Sequence, residues 1–170
     1  MTEPFTVMPV ASQKEQELAQ RGIRHIVVPG EPVPQGRPRF RIQGAFVKAY
    51  DPPKSASYKE LIKWYTRTFL RRHPDLPELT ENICAKIEVF RPIPNSFSKK
   101  KKEAAENGLL LPNTKPDTDN YVKTVLDALN GLLFKDDSAV VQITAVKRYS
   151  ANPRIEISFW AIDPATGGAL

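Results

Sequence analysis

The spacing of apolar residues changes several times along the chain, and each change predicts an element. IRHIVV (23–28) is short and β-branched, which predicts a strand. AFVKAY (45–50) predicts a second strand, punctuated by the DPPKS segment that follows. Tyr58, Leu61, Ile62, Tyr65 and Phe69 then recur at helical spacing, so a helix is expected over 57–72. His73-Pro74 ends it, because proline pushes its predecessor out of the helical region. In NICAKIEVFRPIP (82–94), Ile83, Ala85, Ile87 and Val89 alternate as in a half-buried strand, which Pro92 and Pro94 stop. A basic helical turn and a long loop occupy 97–116. AVVQITAVKRYS (139–150) and PRIEISFWAI (153–162) read as two strands, and Asn152-Pro153 between them predicts a hairpin. Ahead of the first strand, Ser12 and Glu15 have capping-box spacing and Gly22 stops a short helix.

This order of elements fits an α+β fold, a single mixed or antiparallel sheet with helices on one face. The expected organisation is an amino-terminal tail with a short helix (1–22), one domain (23–162) and a mobile carboxyl-terminal tail (163–170). At 170 residues and 41% hydrophobic content, the chain can bury its own core. No apolar run approaches the roughly 18–20 residues that span a bilayer. The first twenty residues lack the basic-then-apolar pattern of a signal peptide. One cysteine, Cys84, leaves no internal disulfide, and a reducing cytoplasm is the expected compartment. With only His25 and His73, a His/Cys zinc site is not expected. The formal charge of +6 suits a polyanionic partner.

Against that charge, residues 115–141 gather aspartates. A helix over 119–130, stopped by Gly131, places Val122, Val125, Leu126 and Leu129 on an apolar stripe. Asp119, Lys123 and Asp127 fall on a different stripe, with Asn120 beside them. Asp117 precedes the helix; Asp136 and Asp137 follow it and can be folded back toward its start or its side. Each feature has an ordinary reading: a helix cap for Asp117 or Asp119, i,i+4 pairs for Lys123, a turn for Asp136-Asp137. Together they leave an excess of carboxylates. Oxygen ligands are what a hard cation takes, and such ions serve phosphodiester displacement. A lysine one turn along can meet charge developing on the phosphoryl oxygens. The pattern points to metal-dependent phosphodiester chemistry.

The same residues carry a resemblance. KPDTDNYVKTVLDALNG followed by FKDDSAVVQITAVKRY resembles the core of the RusA-type Holliday-junction resolvases. PGEPVPQGRPRF (29–40), YDPPKSASYKE (50–60) and FRPIPNSFSKKKKEAAENG (90–108) are similar to earlier parts of phage-type members, so that 23–162 is covered. The resemblance implies a small homodimeric endonuclease that needs magnesium or manganese, binds four-way junction DNA and nicks opposed strands symmetrically. It implies Asp117, Asp119 and Asp137 as catalytic carboxylates and metal ligands, Asp136 as the neighbouring acid and second choice of ligand, and Lys123 as the essential lysine. Asn120 and Asp127 match supporting positions, Asn120 orienting the acids and Asp127 in a second layer or paired with Lys123.

Arg37, Arg39 and Arg41 surround Phe40, a mixture suited to phosphate contact and base stacking; a solvated loop is the plain alternative. Lys99, Lys100, Lys101 and Lys102 read as a basic patch that raises DNA affinity without specificity. Phe97, Trp64 and Trp160 read as core or interface, and Cys84 receives no role. Two other functions compete with junction resolution. One is a metal-dependent nuclease for other branched DNA or RNA; the other is a non-catalytic DNA-binding module.

Overall fold

The computed structural model describes residues 11–37, 39–43 and 46–169, and of these only the backbone for residues 39, 41–43 and 46–49. Among these the elements run α1 (Gln13–Gln20), β1 (Arg24–Pro29), β2 (Arg39–Gln43), β3 (Phe46–Tyr50), α2 (Pro53–Arg72), β4 (Ile83–Pro92), α3 (Lys99–Glu106), α4 (Thr118–Leu129), β5 (Val140–Ser150) and β6 (Arg154–Ala161). The fold is α+β, as the order of elements predicts. Residues 1–10 of the expected tail, with Ala45 of the second expected strand, lie outside the described residues.

The main sheet has the order β1-β6-β4-β5. β6 is antiparallel to both β1 and β4, and β4 is parallel to β5. The expected β5–β6 hairpin is therefore wrong: β4 lies between the two strands. Residues 151–153 do reverse the chain, but they carry it past the end of β4. The reason is register. Ile87 stands opposite Ile157 on one side and Ala145 on the other, so an apolar row crosses three strands. A turn signal is local and cannot say which strand fills the space between its arms.

Ile26, Val28, Ile83, Ile87, Val89, Ile155, Ile157 and Phe159 are buried on one side with Tyr58, Ile62 and Phe69 of α2 and Tyr121, Val125, Ala128 and Leu129 of α4. The alternating partners are polar and pair with each other: Lys86 with Glu88 at 2.9 Å, Arg154 with Glu156 at 2.8 Å, His25 with Ser158 at 2.8 Å. α1 is capped as expected, Ser12 Oγ accepting the Glu15 amide at 3.1 Å. The Glu15 carboxylate serves α2 instead of closing the box, pairing with Arg72 at 2.8 Å and His73 at 3.1 Å. α2 begins four residues before the expected start. Pro53 opens the helix, where a missing N–H costs nothing. The expected α4 stripe is rotated. Tyr121 and Thr124 are buried, while Val122 and Leu126 are half-buried, because both the sheet and α2 cover this helix.

β2 and β3 form a separate antiparallel ribbon, with Arg39 opposite Tyr50. Only β3 was expected as a strand. Both legs of the ribbon are tied to α4. On the incoming leg, the Gln35 amide donates to the Asn120 carbonyl at 2.9 Å. Gly36 passes so close to α2 that a Cβ there would stand 2.7 Å from Pro52 Cγ. On the outgoing leg, Asp51 accepts Gln35 Nε2 at 2.8 Å and Lys59 Nζ at 2.7 Å. Lys59 also donates to Asp127 at 2.8 Å. Its ammonium thus joins the ribbon, α2 and α4.

The Lys59 bond, more than any other influence, holds the Asp51 carboxyl below its ordinary range. Burial acts to lower the Lys59 pKa, but its bonds to Asp127 and Asp51 outweigh this and raise it. The Lys59 side chain is only 12% exposed, while the two acids keep about a third of their surface. Removing the lysine therefore costs more than a surface pair but less than a buried one, about 1–2 kcal/mol. Lys59→Met should lower Tm by roughly 3–6 °C. Asp51 titrates lower in the folded state, so its contribution is complete above the ordinary carboxylate range and is lost as pH falls through it. Thermal melts of Lys59→Met and the unsubstituted protein should converge in acid. An unchanged Tm at neutral pH would show that the brace carries no stability.

Candidate active site at the head of α4

Asp117 occupies the capping position of α4, with extended backbone angles (φ −71°, ψ 152°). An aspartate here ordinarily accepts an amide of the first turn. This one makes no such bond, so its carboxylate is left free at the positive end of the helix. Asp119 follows in the first turn, exposed like Asp117. Asn120 is half-buried, and its carbonyl accepts both the Gln35 amide and the Thr124 hydroxyl. The segment before Asp117 is held from the sheet. Arg91 Nη1 donates to the Thr114 and Lys115 carbonyls at 3.4 and 3.1 Å. Lys147 Nζ donates to those of Thr114 and Pro116 at 3.0 and 2.9 Å.

Sequence reading missed both cations, although a signal was present. Arg91 continues the Ile83–Val89 alternation, and Lys147 stands opposite Val89. A cation in the apolar phase of a strand needs a buried or looped-over partner. The Asp51–Lys59 pair was also missed, since its members are remote from α4 in sequence.

Lys123 lies one turn beyond Asp119, exposed and without an ion pair among the described residues. Asp127, one candidate for its partner, is bonded to Lys59 instead. The Lys123 charge adds, after the Lys59 bond and other influences, to the lowering of the Asp51 pKa.

After α4 the chain turns tightly, the Gly131 amide donating to the Phe134 carbonyl at 2.8 Å with φ 73° at Gly131. Asp136 and Asp137 then lead into β5 through a single 3-10 turn (Asp137–Ala139). Asp136 Oδ1 accepts the Ser138 amide at 2.9 Å, and hydrogen bonding from the Ser138 side chain, helped by that amide, holds its carboxyl below the usual range. Asp137 is exposed, and its carboxylate has no bonded partner among the described residues. The acids thus stand as two pairs, one at the head of α4 and one after it. Among the described residues no three His, Cys, Asp or Glu side chains form a ready-made cation cluster. The donor chemistry nevertheless fits magnesium. Asp117, Asp119 and Asp137 offer unbonded carboxylate oxygens, and magnesium commonly takes one or two carboxylates, waters and the substrate's own phosphate. The nitrogen and sulfur alternatives are engaged elsewhere: His25 with Ser158, His73 with Glu15, and Cys84 buried beside Gln142.

Of the basic segments, Arg37 is exposed and Phe40 is 71% exposed on β2; the side chains of Arg39 and Arg41 lie outside the described residues. Lys99, Lys100, Lys101 and Lys102 are all exposed in the first turn of α3, which Ser98 caps. Cations at a helix amino terminus oppose its dipole, so the placement of this run does not favour the helix. Lys101 Nζ sits 4.1 Å from the Phe97 ring centre, and Phe97 packs edge-on against Tyr149. Trp64 packs edge-on against Tyr65 and, like Trp160, is half-buried.

A family model described as Endodeoxyribonuclease RusA matches residues 29–159. That span holds both acid pairs, Lys123, both basic segments, the ribbon and the Arg91–Lys147 contacts. A Bacillus subtilis (strain 168) protein named Uncharacterized protein YqaN is 48% identical over 130 residues, covering 75% of this chain and 89% of that protein. The matched span takes in nearly the whole core, and the chain belongs to the RusA endodeoxyribonuclease family.

Proposed function

We propose that this protein is a magnesium-dependent endonuclease that resolves four-way DNA junctions, acting as a homodimer that nicks opposed strands symmetrically. The observation that carries the reading is the uncapped Asp117 carboxylate at the head of α4, with Asp119 two residues on and Lys123 one turn further, in a member of a DNA endonuclease family. Asp117, Asp119 and Asp137 hold the cation. When bound, magnesium, or manganese in its place, polarises the scissile phosphate and offsets its charge. Lys123, free of ion pairing, reaches the phosphoryl oxygens as they gain charge. Arg37, Arg39 and Arg41 contact backbone on the ribbon, and Phe40 offers a face for an unstacked base. Lys99–Lys102 add affinity for any DNA. A two-fold protein matches the two-fold strands of a junction, with one site per strand. No described helix is long and apolar enough to cross a membrane. Cytoplasmic DNA intermediates are the substrate proposed.

A panel of labelled junction, flap, duplex and single-stranded substrates tests this reading. Paired nicks in the junction are expected with magnesium or manganese and none with chelator. Equal cutting of flaps or RNA would move the substrate to another branched class, and robust cleavage in excess EDTA would overturn the metal requirement.

The two acid pairs yield a sharper expectation. Asp119→Asn and Asp137→Asn should bind junctions and fail to cut them. Asp136→Asn should keep most activity, because asparagine caps the Ser138 turn as well as aspartate does. An inactive Asp136→Asn beside an active Asp137→Asn would reverse the assignment. Lys123→Ala should melt normally and cut about 10²–10³-fold more slowly; early melting with normal turnover of the folded fraction would make that lysine structural.

A further inference from the structure

Asp117 sits where an aspartate normally folds back onto its own helix, and it does not. Its placement must therefore come from the segment before it. Pro112 is buried and Pro116 half-buried, but Asn113, Thr114 and Lys115 between them are exposed, and apolar packing does not hold those three. Four bonds from two cations do. Arg91 binds the carbonyls of Thr114 and Lys115; Lys147 binds those of Thr114 and Pro116. Three consecutive carbonyls are thus occupied up to the peptide that joins Asp117. The donors come from neighbouring parallel strands, with Val89 opposite Lys147 and Arg91 opposite Tyr149. Both rise from the face on which α4 packs. On the other side, the Gln35 amide fixes the Asn120 carbonyl, so the first turn is gripped before and after Asp117. A lysine and an arginine with donors aimed at protein carbonyls have fewer donors left for DNA phosphate.

We infer that Arg91 and Lys147 are positioning residues, which set the direction of the Asp117 carboxylate by tying its preceding loop to β4 and β5. The effect on rate rests on the proposed endonuclease reading; the effect on loop order does not. A misplaced reacting group costs on the order of 10²-fold in rate. Lys147→Met and Arg91→Met should therefore lower the single-turnover rate at saturating enzyme by about that factor. Junction Kd, measured in chelator, should not change. Lys147→Arg, which keeps charge and reach, should recover part of the rate. Amide hydrogen exchange over residues 113–121 of the free protein should quicken in both methionine variants while exchange in β4 stays as before.

Weaker junction binding and a flatter salt dependence, with a normal saturated rate, would overturn the inference and make both cations phosphate contacts. Unchanged exchange over 113–121 would overturn it too, because the loop would then hold itself. If the unsubstituted protein cuts no DNA, the endonuclease reading fails, and the exchange comparison alone still decides whether these cations order the loop.

Discussion

β4 is bonded on both edges, antiparallel to β6 and parallel to β5, and its inward side chains are fully buried from Ile83 to Val89. Everything that places the site depends on that double pairing. It commits one face of the sheet to α2 and α4. It also sets where the apolar phase ends, so that Arg91 and Lys147 emerge together and meet the loop that starts α4. Without the β4–β5 pairing these cations would stand on separate surfaces. The placement of the head of α4 is thus a consequence of sheet order.

A second tie connects the β2–β3 ribbon to that helix. The ribbon carries exposed Phe40 and returns to the core through Asp51, whose carboxylate shares Lys59 with Asp127. The lysine does two things at once. It locks the ribbon's base to α4, and it occupies Asp127, so that Lys123 has no ion pair among the described residues. A charge that is unpaired in the free protein is available to a phosphate without first breaking a salt bridge.

Much of this was legible in the chain, and the limits have physical causes. Alternation through Ile83–Val89 and helical spacing through Tyr58–Phe69 reveal elements because period alone determines them. Strand order is not a local property, so Asn152-Pro153 suggested a hairpin that β4 interrupts. β2 was missed because RFRIQ belongs to a ribbon outside the core, where no apolar alternation is required. Pro52-Pro53 read as a stop although proline also starts helices well. In the site, the aspartates and Lys123 stood out by spacing and resemblance. Arg91, Lys147, Asp51 and Lys59 did not, because each acquires its meaning from a partner distant in sequence.

The central claim is that Asp117 sits in a capping position without acting as a cap. Asparagine caps a helix about as well as aspartate but lacks the charge that a cation requires. The direct measurement is the nicking rate of a labelled four-way junction by Asp117→Asn, with its melting curve and junction binding recorded alongside. The account predicts normal melting, retained binding and no nicking. Nicking at the unsubstituted rate would contradict it, returning Asp117 to an ordinary helix cap.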